Sequence, residues 1–138
     1  MSGDGIMTRE ELLSIPRKVR DIADEEYRIE TLKAKLFSPR GLDTNEKVQS
    51  SGSQTALADI VIDMEHKLDL KKQALGKLRA EAMNMIYGAD LTEDESVVLM
   101  LRYTEFMTWP EITEVVHYAS ATVFRIHRKA VDKLFGEE

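Results

Sequence analysis

Residues 91–134 read LTEDESVVLMLRYTEFMTWPEITEVVHYASATVFRIHRKAVDKL, and this stretch decides the fold. Thr92-Glu-Asp-Glu95 and Thr108-Trp-Pro-Glu111 each put a hydroxyl at an N-cap and a carboxylate three residues on, the capping box that opens a helix. The first predicts a helix to about Thr104 with Val97, Val98 and Leu101 facing inward. The second predicts a short helix with Ile112, Val115 and Val116 inward; Pro110 is tolerated because first-turn amides have no helical partner. Phe106-Met107 and His117-Tyr118-Ala119 are the turns, and a last helix runs from about Ser120 to Leu134.

Advancing about 100° per residue from Val123 puts Ile126, Ala130 and Leu134 on one side of that last helix and Ala121, Arg125, Arg128 and Asp132 on the other. Ala121 and Arg125 are therefore exposed near its N-terminal end, the part of a recognition helix that reaches base edges. A small residue permits close approach, and an arginine one turn on bonds guanine bidentately, worth about 1–3 kcal/mol of discrimination. Arg128, Lys129 and Lys133 lie further along and suit phosphate contact, which positions a protein without reading sequence. Net charge is −6, but DNA meets only the docking face, screened from the rest over roughly 10 Å. Ala119–Leu134 holds four cations and one acid, whereas Thr92–Val116 holds six acids and one arginine. Cations near a helix C-terminus also complement its dipole; the order of three helices with only the last basic is what favours a DNA reader.

Leu91–Leu134 resembles region 4 of the sigma-70 factors, through Leu101-Arg-Tyr103, the hydroxyl-aromatic-x-Glu-Ile run of Thr108–Ile112, Thr122-Val123 and the closing Ala130 and Leu134. The whole chain, with Ser38-Pro-Arg40 after a first helix and a long second helix before the reader, is similar to phage and prophage regulators of the RinA/ArpU type. The resemblance implies base contacts at Ser120, Ala121, Phe124 and Arg125. Three features depart from it. Phe106 and His117 stand at turns where such units often carry glycine, so a left-handed backbone there costs about 1 kcal/mol or more. Ala119 replaces a hydroxyl cap, and Ser120 is the alternative cap. Ala121 and Phe124 replace polar contacts.

Upstream, Thr8-Arg-Glu-Glu11 is a further capping box, followed by a helix bent or restarted at Pro16. Ile15, Val19, Ile22, Ile29, Leu32 and Leu36 form its apolar stripe, interrupted at Glu26. Ser38-Pro39-Arg40-Gly41 ends it, and residues to Ser53 read as a polar linker. From about Gln54 to Tyr87, Leu57, Val61, Met64, Leu68, Leu75, Leu78, Ala82 and Met85 make a heptad seam with Lys71 in the missing place. Either stripe alone needs a partner: an antiparallel hairpin, or a coiled coil between subunits. Lys67, Lys71, Lys72, Lys77 and Arg79 suit an acidic partner helix, with DNA backbone as the alternative.

The expectation is an all-α chain. A long antiparallel, coiled-coil-like helical hairpin, residues 8–87 with a loop at about 38–53, serves oligomerisation. A three-helix, sigma-70 region 4-like helix-turn-helix, residues 91–135, binds double-stranded DNA. With no cysteine, disulfides, thiolate nucleophiles and cysteine-ligated zinc are excluded. The histidines have no ligand spacing, so no metal is expected. His127 lies about 40° from the packed face and reads as a buried or an interhelix hydrogen-bonding histidine, and Trp109 as a core anchor between helices. No phosphate loop, Ser-His-Asp set or glycine fingerprint argues for an enzyme or cofactor. No apolar run approaches the roughly 20 residues that span a bilayer, and residues 1–7 do not read as a secretion signal, so the protein is expected in the bacterial host cytoplasm. The expected function is a sequence-specific phage or prophage transcriptional regulator, a homo-oligomer with RNA polymerase as a possible second partner. The alternatives are a small-terminase-like packaging component and an adaptor for RNA polymerase that does not bind DNA.

Overall fold

The computed structural model describes residues 7–36 and 47–136, with side chains for 7–36 and 55–136. These residues are all-helical: α1 (Arg9–Leu36), α2 (Lys47–Gly88), α3 (Glu93–Tyr103), α4 (Trp109–Val116) and α5 (Ser120–Leu134), with no strand among them. The expected Ser38–Gly41 stop and the linker that follows it to residue 46 lie outside the described residues. Helix α2 begins at Lys47 rather than near Gln54. The Ser/Gly cluster there is a weak prior against a helix that only has to be extended, since propagation lacks the cost of nucleation.

All three capping boxes close. The Glu11 amide donates to Thr8 Oγ1 at 3.1 Å and the Thr8 amide to Glu11 Oε1 at 2.9 Å. Thr92 with Glu95, and Thr108 with Glu111, form the same reciprocal pair. Pro16, in contrast, neither stops nor restarts α1, which continues through it from Arg9 to Leu36. An interior proline costs about 3 kcal/mol. Leu12 and Ile15, in the helical turn before it, are both completely buried, and each contributes about 1.5–3 kcal/mol. Tertiary burial outweighs the local penalty.

The chain divides into two compact units: one formed by the chain up to Val19 and from Leu75 onward, the other by the stretch between Arg20 and Ala74. In the second unit Ile22 and Ile29 of α1 and Val61 and Leu68 of α2 are buried. Lys33 pairs with Glu65 at 2.8 Å, Lys71 with Asp21 at 2.9 Å and Lys72 with Glu26 at 2.7 Å, so residue numbers fall along α2 as they rise along α1. The Asp21 and Glu65 hydrogen bonds, the largest influences, raise the pKa of Lys71 and Lys33. Exposed pairs of this kind contribute little; the apolar stripe does most of the stabilising. Lys71 and Lys72 find their acids on α1 of the same chain, whereas Lys67 pairs with Asp63 on α2 itself.

The first unit holds two cores. One joins Met7, Leu12 and Ile15, Ala82 and Ile86 of α2, Leu99 and Tyr103 of α3, and Ala130 and Val131 of α5. The other joins Val98, Ile112 and Val123 from α3, α4 and α5. Helix α3 therefore buries an arc wider than a single stripe: Leu99 and Tyr103 are inward, while Val97, expected inside, is 37% exposed. Val115, also expected inside, is 49% exposed. In α2 Ile86 replaces Met85 as the fully buried residue. A straight helix drifts about 20° per heptad against a seven-residue repeat, so after four heptads the next residue points inward.

The turns on either side of α4 are left-handed at Phe106 (φ 61°) and His117 (φ 63°). The His117 amide donates to Thr113 O at 2.8 Å, closing α4. His117 is exposed and Phe106 packs on the first core. His117→Gly should therefore raise the unfolding free energy by about 0.5–1 kcal/mol by removing the Cβ strain. Phe106→Gly should lower it, because lost burial exceeds the same relief. Urea titration followed by circular dichroism checks both signs.

Candidate nucleic-acid interface

Helices α3, α4 and α5 position the basic surface. Thr92 caps α3 while Glu95, almost fully buried, turns back to the Thr92 amide and also accepts from Lys133 Nζ of α5 at 2.8 Å. Burial alone would raise the Glu95 carboxyl; Lys133 and the Thr92 amide and hydroxyl outweigh it and hold the group below its ordinary 4.5. The Tyr118 hydroxyl, in the turn between α4 and α5, donates to Asp94 at 2.9 Å, which ties that turn to the start of α3 and raises the tyrosine pKa. Helix α5 starts at Ser120 with Ala119 as its N-cap and no side-chain cap bond. Ser120 is thus the first helical residue and does not serve as the alternative cap.

The rotation of α5 is set from beneath. Val123 enters one core and Ala130 and Val131 the other, with Ile126 and Leu134 half-buried. Between them His127 Nε2 lies 2.7 Å from the Tyr103 hydroxyl of α3, and its ring meets Trp109 of α4 edge-on at 4.9 Å. Burial pushes the Tyr103 hydroxyl up to about 12 against the opposing pull of Arg102, and drives His127 down to about 4 with Arg102 adding to the effect. Both groups are therefore neutral near pH 7. With the tyrosine donating, the ring accepts at Nε2 and carries its proton on Nδ1. Trp109 also lies under the Arg102 guanidinium at 4.3 Å, and Arg102 donates to Met107 O at 3.0 Å. One histidine thus links α5 to both preceding helices, in the interhelix role that its sequence position indicated.

Ser120, Ala121, Arg125, Arg128 and Lys129 are exposed. Phe124 is 44% exposed yet meets Trp109 edge-on at 5.1 Å, so it both packs and shows a face. Ala121, Arg125 and Arg128 share one side of α5 by helical spacing, and Lys129 flanks them. Lys133, expected with the phosphate contacts, is instead held by Glu95. Asp132, on the same side as Arg125, accepts from Arg9 of α1 at 3.2 Å. No pattern in the sequence signals that pairing across 123 positions.

Comparison with protein-family models, curated proteins and solved structures returns no match. Among the described residues no helix is long and apolar enough to cross a membrane.

The neutral imidazole makes stability depend on pH. Its folded pKa lies below the ordinary 6.5, so its contribution is complete above pH 6.5 and is lost as pH falls towards about 4. Glu95 adds its own loss only below about 4.5. Denaturant midpoints read from Trp109 fluorescence should therefore fall between pH 6.5 and 4.5 by an amount equivalent to about 2 kcal/mol, and His127→Gln should flatten that decline.

Proposed function

We propose that this chain is a sequence-specific DNA-binding transcriptional regulator of phage or prophage type, acting in the bacterial cytoplasm without catalysis. In this reading α4 and α5 are the helix-turn-helix, α5 lies in the major groove, and α1 with α2 is an antiparallel hairpin for self-association or contact with the transcription machinery. The observation that carries the reading is the outer side of α5. It presents a small residue, Ala121, beside Arg125 and Arg128, with Lys129 on the flank, while the opposite side is locked into two cores. The likeness of Leu91–Leu134 to sigma-70 region 4, and of the chain to RinA/ArpU-type regulators, supports the same reading.

Ser120, Ala121, Phe124 and Arg125 take the base edges, with Arg125 bidentate on guanine and Phe124 against a thymine methyl. Arg128 and Lys129 take phosphates. Lys133, bonded to Glu95, contributes by fixing α5 on α3. A single module of this size offers about 600–1,000 Å² of protein surface. Two copies on two half-sites, joined through the N-terminal helices, would double that, and contact of those helices with RNA polymerase is the second role in this reading.

Arg125→Ala should relax preference at one base position, costing about 1–3 kcal/mol on the preferred site. Lys129→Ala should weaken specific and random duplexes alike and flatten the log–log salt slope by about 1. Both residues are exposed, so thermal stability should hold. Selection from random duplexes followed by titration measures this, and variants that both bind like the wild type contradict the assignment.

A further inference from the structure

Asp132 is the one acid on α5, and it stands on the side that carries Ala121, Arg125 and Arg128. Four residues after Arg128, it lies within reach of that guanidinium, since positions i and i+4 are neighbours on a helix surface. An acid there would draw Arg128 away from a phosphate and would itself repel the nucleic acid. The structure gives Asp132 another partner. Arg9, the first residue of α1, donates from Nη2 to Asp132 Oδ1 at 3.2 Å, with both side chains about one third exposed. The Arg9 guanidinium also lies 5.6 Å from the Phe135 ring centroid, just past the end of α5. Met7 and Leu12, on either side of Arg9 in the chain, are buried in the first core, so the arginine is delivered from a fixed backbone.

We infer that Arg9 completes the nucleic-acid-facing surface of α5: by neutralising Asp132 it leaves Arg128 to a backbone phosphate, and so makes the start of α1 a positioning element for DNA binding. This rests on the reading of α5 as the DNA-contacting helix. It extends the interface to a residue that lies outside the three C-terminal helices and that no helix-turn-helix pattern includes. The ligand is the duplex phosphate backbone, so the effect is independent of base sequence.

A double-mutant cycle on the full chain, with random-sequence duplex DNA as probe, tests it. Arg9→Ala should weaken binding about three- to tenfold, and the slope of log affinity against log salt should flatten by about 0.9, the loss of one phosphate contact. Asp132→Asn alone should bind at least as well as the wild type. Arg9→Ala combined with Asp132→Asn should recover both the wild-type affinity and its salt slope, even where thermal unfolding shows both Arg9 variants less stable. The inference is overturned if Arg9→Ala leaves affinity and slope unchanged, or if the double variant stays as weak as Arg9→Ala, which would assign Arg9 to packing on Phe135. A wild-type chain that binds no duplex fails at the earlier step: it removes the DNA reading and this inference with it.

Discussion

The structure depends on α5 being buried on two fronts. Val123 closes the small core shared with α3 and α4, while Ala130 and Val131 close the larger one shared with α1, α2 and α3. A helix held in one core can roll about its axis by a fraction of a turn; one held in two cores cannot without opening one of them. That constraint, reinforced by His127 between Tyr103 and Trp109, leaves a single side of α5 facing outward. The exposed cations follow from what is buried beneath them.

Electrostatics act within that frame. The chain is acidic as a whole, but several carboxylates are already committed: Glu95 to Lys133, Asp132 to Arg9, and Asp21, Glu26 and Glu65 to lysines of the long helices. Glu95 and Lys133 illustrate the ranking of effects. Burying a carboxylate is costly unless it is hydrogen-bonded and paired, and here the cap and the ammonium satisfy it together. The pair joins α3 to α5 and spends a cation that the sequence alone would have assigned to DNA. The acids that remain exposed on α3 and α4 lie on helices that precede the basic one.

Much of this was legible in the sequence because its signals are local. Capping boxes at Thr8, Thr92 and Thr108 depend on residues three apart, and all three marked a helix start. The outward setting of Ala121 and Arg125 followed from a single periodicity anchored at Val123. What escaped was non-local. A one-stripe reading put Val97 inside and omitted Leu99 and Val131, because it did not allow for a helix serving two cores. Pro16 read as a bend or a restart, and the restart did not occur, because its penalty is local while the burial of Leu12 and Ile15 that overrides it is tertiary. Met85 gave way to Ile86 through the slow mismatch between a heptad and the turn of a straight helix. The Arg9–Asp132 bond leaves no trace in any window of the chain.

The most direct measurement of the central claim is position-specific photocrosslinking to duplex DNA, with a reactive side chain introduced singly at Ala121 and at Val97. Both positions are exposed, but only the first lies on the outer side of α5. The account predicts crosslinks from 121 and none above background from 97. Crosslinks from 97 alone, or from neither position on a duplex the protein binds, would contradict it.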